Sequence, residues 1–144
     1  MTLALDTNIL STLWSGSPDL SQLVQSSLQT LSSSHVLLIC APVFAELVAA
    51  PKRDLGAVEA LLHEEGMKID WDLDPPVWRT AALAYQTYAA RRRAGSGAPG
   101  PGRILADFVI GAHALHADAA LLTLDQGIYR AAFPALTVLA PADL

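Results

Sequence analysis

The chain holds a single cysteine, Cys40, among 144 residues. A lone cysteine closes no internal disulfide, and without a Cys-x-x-Cys pair neither a thiolate zinc site nor dithiol redox chemistry is available. Cys40 is expected to be a core thiol. Long apolar runs are missing as well. The stretches 36–45 and 108–122 are broken by Pro42, His113, His116 and Asp118, and neither reaches the roughly 18 uninterrupted residues of a membrane span. The opening Met1 to Asp6 carries no basic segment and meets an acid at once, so no secretory signal and a cytoplasmic location are expected. Positive charge is scarce too: nine Lys and Arg stand against fourteen Asp and Glu, a net charge of -5. That sign excludes a protein that holds nucleic acid by bulk electrostatics, so any polyanion must be bound locally. What is plentiful is apolar side chain, 52% of the residues, which excludes intrinsic disorder. At this length one domain spanning 1–144 is expected.

Short aliphatic runs alternate with longer helical ones, the pattern of βαβ units and a parallel sheet. Strands are predicted at Leu3–Asp6, Val36–Ile39, Met67–Asp70, Ala120–Thr123 and Leu136–Leu139. Helices are predicted as a short one through Ile9, Leu10 and Leu13, then from Pro18, from Pro42 to about Ala50, and at about 54–65, 76–93 and 105–117, with a short one after a turn at Asp125-Gln126-Gly127. In the helix from Pro18, Leu20, Leu23, Val24, Leu28 and Leu31 share one face by their three-and-four spacing. Gly66 and Pro51 act as stops. Residues 94–102 are almost wholly Gly, Ala and Pro and predict a flexible loop, bracketed by Arg91, Arg92, Arg93 and Arg103.

Four acids sit in apolar surroundings where a carboxylate is costly to bury: Asp6, Glu46, Asp107 and Asp125. Asp6 and Asp125 follow predicted strands, and in open parallel sheets the binding crevice lies at the carboxyl ends of the strands. Each acid alone has an ordinary reading: a helix cap for Asp6, a solvent-facing helix position paired with Lys52 or Arg53 for Glu46, dipole compensation for Asp107 and a turn residue for Asp125. Together they point to one crevice, where unpaired carboxylates repel unless a cation neutralises them. Oxygen-only ligation selects hard ions such as Mg²⁺ or Mn²⁺, whose natural use is phosphodiester hydrolysis.

The segments Leu3-Ala4-Leu5-Asp6-Thr7-Asn8, Phe44-Ala45-Glu46-Leu47, Leu105 to Ala114 with Asp107, and Leu122-Thr123-Leu124-Asp125 followed by Tyr129 resemble the successive motifs of PIN-domain ribonucleases, and more narrowly VapC toxins of type II toxin–antitoxin systems. The resemblance implies a three-layer α/β/α fold with a five-stranded parallel sheet and a Mg²⁺- or Mn²⁺-dependent endoribonuclease. Asp6, Glu46, Asp107 and Asp125 match the family's catalytic acids, with Asp6, Asp107 and Asp125 as metal ligands. Asn8 and Thr123 match the supporting polar residues, Thr123 by donating its hydroxyl to a carboxylate or a metal-bound water. Expected partners are an RNA substrate, a cognate antitoxin and a second copy in a homodimer. Leu124 departs from the pattern, because many relatives carry a basic residue there.

Other features carry less. Asp118 lies eleven residues beyond Asp107, about 16 Å along a continuous helix, too far to share an ion. His113 and His116 have zinc-like spacing but no third ligand at helical spacing, and a packing or surface role is expected. Trp14, Trp71 and Trp78 are expected to anchor the core or an interface. Arg103 and Arg93 are the candidate phosphate contacts, Arg103 being four residues before Asp107. Two alternatives to a nuclease remain: an aspartyl phosphatase, whose Asp-x-Asp-x-Thr motif is broken here by Asn8 and Leu10, and a non-catalytic PIN-like binding module.

Overall fold

A computed structural model describes residues 1–95 and 102–144. The predicted loop at 94–102 therefore lies largely outside the described residues. Five strands, β1 (Thr2–Leu5), β2 (Val36–Cys40), β3 (Lys68–Asp70), β4 (Ala120–Leu122) and β5 (Val138–Leu139), form a sheet in the order β3-β2-β1-β4-β5. Every pairing is parallel, with Ala4 opposite Leu38 on one side and Leu121 on the other. Leu3, Ala4 and Leu5 are all buried, as expected for a central strand covered on both faces.

Seven helices connect the strands: α1 (Thr7–Ser15), α2 (Pro18–Ser32), α3 (Ala41–Ala49), α4 (Leu55–Glu64), α5 (Pro75–Ala94), α6 (Leu105–His116) and α7 (Gln126–Ala132). From β1 the chain steps through β2 to β3 in one direction, then crosses back to β4 and β5 on the other side. Right-handed crossovers then put α1–α4 on one face and α5–α7 on the opposite one, giving the three layers. The direction reverses beside β1, and the carboxyl ends of β1 and β4 at such a reversal are where open parallel sheets form their binding crevice. No described helix is long and apolar enough to cross a membrane.

Local chemistry accounts for most boundaries. Prolines open α2, α3 and α5 at the first turn, where a missing N–H costs nothing. Asp54 caps α4 by accepting from the Ala57 N–H. Gly66, at φ 73°, makes the left-handed step that ends the α4 segment and leads into β3.

Three expectations need correction. On α2 the buried face is Val24, Ser27, Leu28 and Leu31, while Leu20 and Leu23 are partly exposed. Ser27 enters because its hydroxyl donates to the carbonyls of Leu23 and Pro141, where a short 3-10 turn at Pro141–Asp143 packs on α2. The predicted turn at Asp125-Gln126-Gly127 is instead the entry to α7, which begins directly after Asp125. Of the core-or-interface expectation for the tryptophans, the core half fails for Trp71 and Trp78, which are about half exposed. Trp71 rests edge-on against the core residue Phe44, and Trp14 is partly buried against the core under the Arg53 guanidinium.

Candidate active site

Asp6 leaves the end of β1 and is almost fully buried. One carboxylate oxygen accepts from the Thr7 N–H at 2.7 Å and the other from the Thr123 hydroxyl at 2.8 Å. Burial pushes its pKa up; these bonds pull it back, and the charge of Asp107 raises it further. Asp107 lies in the first turn of α6, where its carboxylate accepts from the Ile104 N–H at 3.3 Å. Desolvation likewise raises its pKa, the Ile104 bond and Arg103 oppose the shift, and Asp125 adds to it. Glu46, on α3, accepts from the Thr7 hydroxyl at 2.6 Å. The ordinary pairing of Glu46 with Lys52 or Arg53 is not the contact made, since Arg53 binds Ser15 and covers Trp14.

Thr123 links β4 to this cluster. It is completely buried, and its hydroxyl donates to Asp6 while accepting from the Asp125 N–H at 3.0 Å and from Asn8 Nδ2 at 3.3 Å. Asn8 in turn accepts from the Leu124 N–H at 3.1 Å, fixing the Leu124 backbone while its side chain stays partly exposed. Because one hydroxyl has one donor and two lone pairs, Thr123 is saturated. Thr123→Val keeps the shape and removes all three bonds, so a loss of about 2–3 kcal/mol is expected in thermal or denaturant unfolding. Thr123→Ser should lose clearly less, and equal losses would show that the methyl, not the hydroxyl, matters.

Asp125 is held from below by its own N–H on Thr123, and its carboxylate forms an ion pair with Arg103. That pairing is the main reason the Arg103 guanidinium is held above its ordinary range. Arg103 is itself anchored through its backbone N–H, which donates to the Tyr88 hydroxyl at 2.7 Å. Arg93 is exposed at the end of α5. Chains of direct contact thus run from Glu46 through Thr7 to Asp6, and from Asp6 through Thr123 to Asp125 and Arg103, while Asp107 is coupled by charge to Asp6, Asp125 and Arg103. Among the described residues no three His, Cys, Asp or Glu side chains are grouped closely enough to form a ready-made metal cage.

Three contributors carried no assigned role in the sequence. Thr7 follows Asp6 directly, but no spacing rule ties it to Glu46, 39 residues away. Tyr88 gives no local signal for its bond to Arg103. Tyr129 is almost wholly buried, and its hydroxyl lies against the Asp6 carboxylate, close enough for the two to influence each other's titration though short of good hydrogen-bond geometry, and it also feels the charges of Asp107 and Glu46. Desolvation and those carboxylates push its pKa up, so it stays protonated. Cys40, at the end of β2, is a buried thiol with its pKa raised to about 12 by desolvation. It is inert, as expected of a core cysteine.

The two histidines fall outside the cluster. His113 is buried and bonds Asp70 at 3.0 Å, and His116 bonds Thr80 at 2.7 Å. Both are packing contacts. Asp118 lies past the end of α6, at φ 52°.

A parallel α/β sheet whose reversal point is ringed by carboxylates from β1, α3, α6 and the β4–α7 connection defines a class of acid-crevice α/β proteins. Within that class the chain belongs to the PIN domain family, which matches residues 3–134. No curated protein matches it in sequence. Its structure is similar to FitAcB from Neisseria gonorrhoeae, at 25% identity and a TM-score of 0.63 over 99% of this chain and 100% of that one. It is also similar to VapBC-1 from nontypeable Haemophilus influenzae, at 22% identity and a TM-score of 0.66 over 99% of each chain. A third similar structure is VapBC2 from Rickettsia felis bound to a DNA fragment from their promoter, at 19% identity and a TM-score of 0.62 over 97% of this chain and 98% of that one.

Proposed function

We propose that this chain is a divalent-metal-dependent endoribonuclease, folded as one cytoplasmic domain and acting as the toxin of a toxin–antitoxin pair. The observation that carries the reading is the meeting of Asp6 and Asp107 where the sheet reverses, which raises the pKa of both, by burial first and by repulsion from a neighbouring acid second. Carboxylates so placed gain from a cation. The donor set is of the kind a hard ion takes: it is all oxygen and contains no thiolate or imidazole.

Asp6, Asp107 and Asp125 would hold the ion. Bound Mg²⁺ or Mn²⁺ would screen charge developing on the phosphoryl oxygens and make a coordinated water more acidic. The chain's own residues do the rest. Thr7 and Thr123 fix the Asp6 carboxylate, Thr7 also aligns Glu46, and Asn8 secures the β4–α7 connection. A carboxylate of the crevice takes the proton of the attacking water, which adds to phosphorus as the 3′-oxygen leaves. Arg103 and Arg93 would contact backbone phosphates, the local basic groups that an acidic protein needs. Similarity along nearly the whole chain to VapBC and FitAcB structures supports an antitoxin as partner, and a second copy in a homodimer is part of the same proposal.

Incubating the purified chain with a total RNA pool, with and without Mg²⁺ or Mn²⁺, and mapping the new ends tests this. Cleavage only with the ion and ends bearing 5′-phosphate and 3′-hydroxyl are expected. Ends bearing 2′,3′-cyclic phosphate would contradict water as nucleophile, and no cleavage with any ion would favour the binding-module reading.

A further inference from the structure

Asp125 cannot ligate an ion freely while it is paired with Arg103. We propose that Arg103 is an internal counter-cation that competes with the divalent ion for Asp125, so that ion binding releases its guanidinium toward the substrate phosphate. This rests on the metal-dependent reading above and adds a regulating step to the same site.

Three observations support it. First, the placement is built in: the Arg103 backbone is anchored on the Tyr88 hydroxyl, and Tyr88 packs with Tyr85 around the fully buried Phe108 of α6. Second, the guanidinium serves the acid cluster and not merely one partner, since it also faces the charge of Asp107. Third, the pair is exchangeable, because 32% of the Arg103 side chain and 41% of the Asp125 side chain remain open to solvent. A pair so exposed is weak, and an ion of twice the charge can displace it.

The test is Mn²⁺ affinity, measured by titration calorimetry or by the electron paramagnetic resonance of free Mn²⁺ at fixed ionic strength. Arg103→Ala should bind Mn²⁺ roughly fivefold to tenfold more tightly than the parent, from the removed competitor and its charge. In an Asp125→Asn background the same substitution should change affinity by less than about twofold, as a double-mutant cycle requires when the effect runs through Asp125. Arg79→Ala controls for net charge, since Arg79 is an exposed residue of α5 about 13 Å along the helix from Tyr88, and should leave affinity unchanged. A melting curve confirms that Arg103→Ala folds, as its backbone bond to Tyr88 is kept. Unchanged or weaker Mn²⁺ affinity in Arg103→Ala, or an equal gain in Arg79→Ala, overturns the proposal and leaves the nuclease reading intact. The expected gain without any RNA cleavage upholds the competition at Asp125 and removes both the nuclease reading and the release toward a substrate phosphate, and absence of Mn²⁺ binding by every variant overturns everything.

Discussion

Asp6→Asn is expected to lower RNA cleavage by roughly a thousandfold or more, the effect of losing several kcal/mol of charge stabilisation at the reacting phosphate. It should do so without unfolding the protein. The native carboxylate is buried and its pKa raised, so between its ordinary value of 3.8 and its folded value the folded chain binds more protons than the unfolded one. Stability from this group is therefore greatest at low pH and falls as pH rises through that window, in the absence of a metal ion. A neutral amide has no such dependence. Its gain at neutral pH is offset because the new amide nitrogen faces the Thr123 hydroxyl, which already accepts two bonds. Melting temperatures from about pH 4.5 to 8 should show a flatter profile for Asp6→Asn, within about 1 kcal/mol of the parent at pH 7. Retention of cleavage by this variant would remove Asp6 from the reaction.

The second large effect concerns packing, away from the chemistry. Gly111→Ala on α6 is expected to destabilise the protein by about 2–3 kcal/mol, although alanine ordinarily favours a helix over glycine by about 1 kcal/mol. A Cβ at Gly111 would stand 2.3 Å from Cε2 and 2.6 Å from Cδ2 of Phe133. Phe133 is itself buried, so its ring can yield only toward the cavity of about 360 Å³ that it lines with Leu115, Ile128 and Pro134. Chemical denaturation gives the loss. If Phe133 is the cause, adding Phe133→Leu should recover part of it, and a neutral or stabilising Gly111→Ala would show that α6 shifts to make room. Because α6 carries Asp107, a shifted helix would also reduce cleavage, which links this core contact to the site.

Short strands of Leu, Val and Ile separated by helix-length segments determined the sheet and its parallel sense, since parallel neighbours need a crossover and both faces of such strands are apolar. Prolines at first turns and Gly66 marked the ends of elements, because their backbone limits act within one or two residues. The acids Asp6, Glu46, Asp107 and Asp125 could be picked out singly, as charges in apolar segments. The errors came where a distant neighbour decided the outcome: Ser27 is buried on α2 because Pro141 offers it an acceptor, and Trp71 stays half exposed on the rim at Phe44. Tertiary structure alone decided that Thr7 reaches Glu46, that one hydroxyl on Thr123 serves Asp6, Asn8 and Asp125, that the buried Tyr129 hydroxyl lies against Asp6, and that Arg103 lies on Asp125 rather than on solvent. The physical reason is range. Propensity and periodicity act over a few residues along the chain, whereas hydrogen bonds and ion pairs between side chains 22 to 117 residues apart exist only after the sheet has brought their strand ends together.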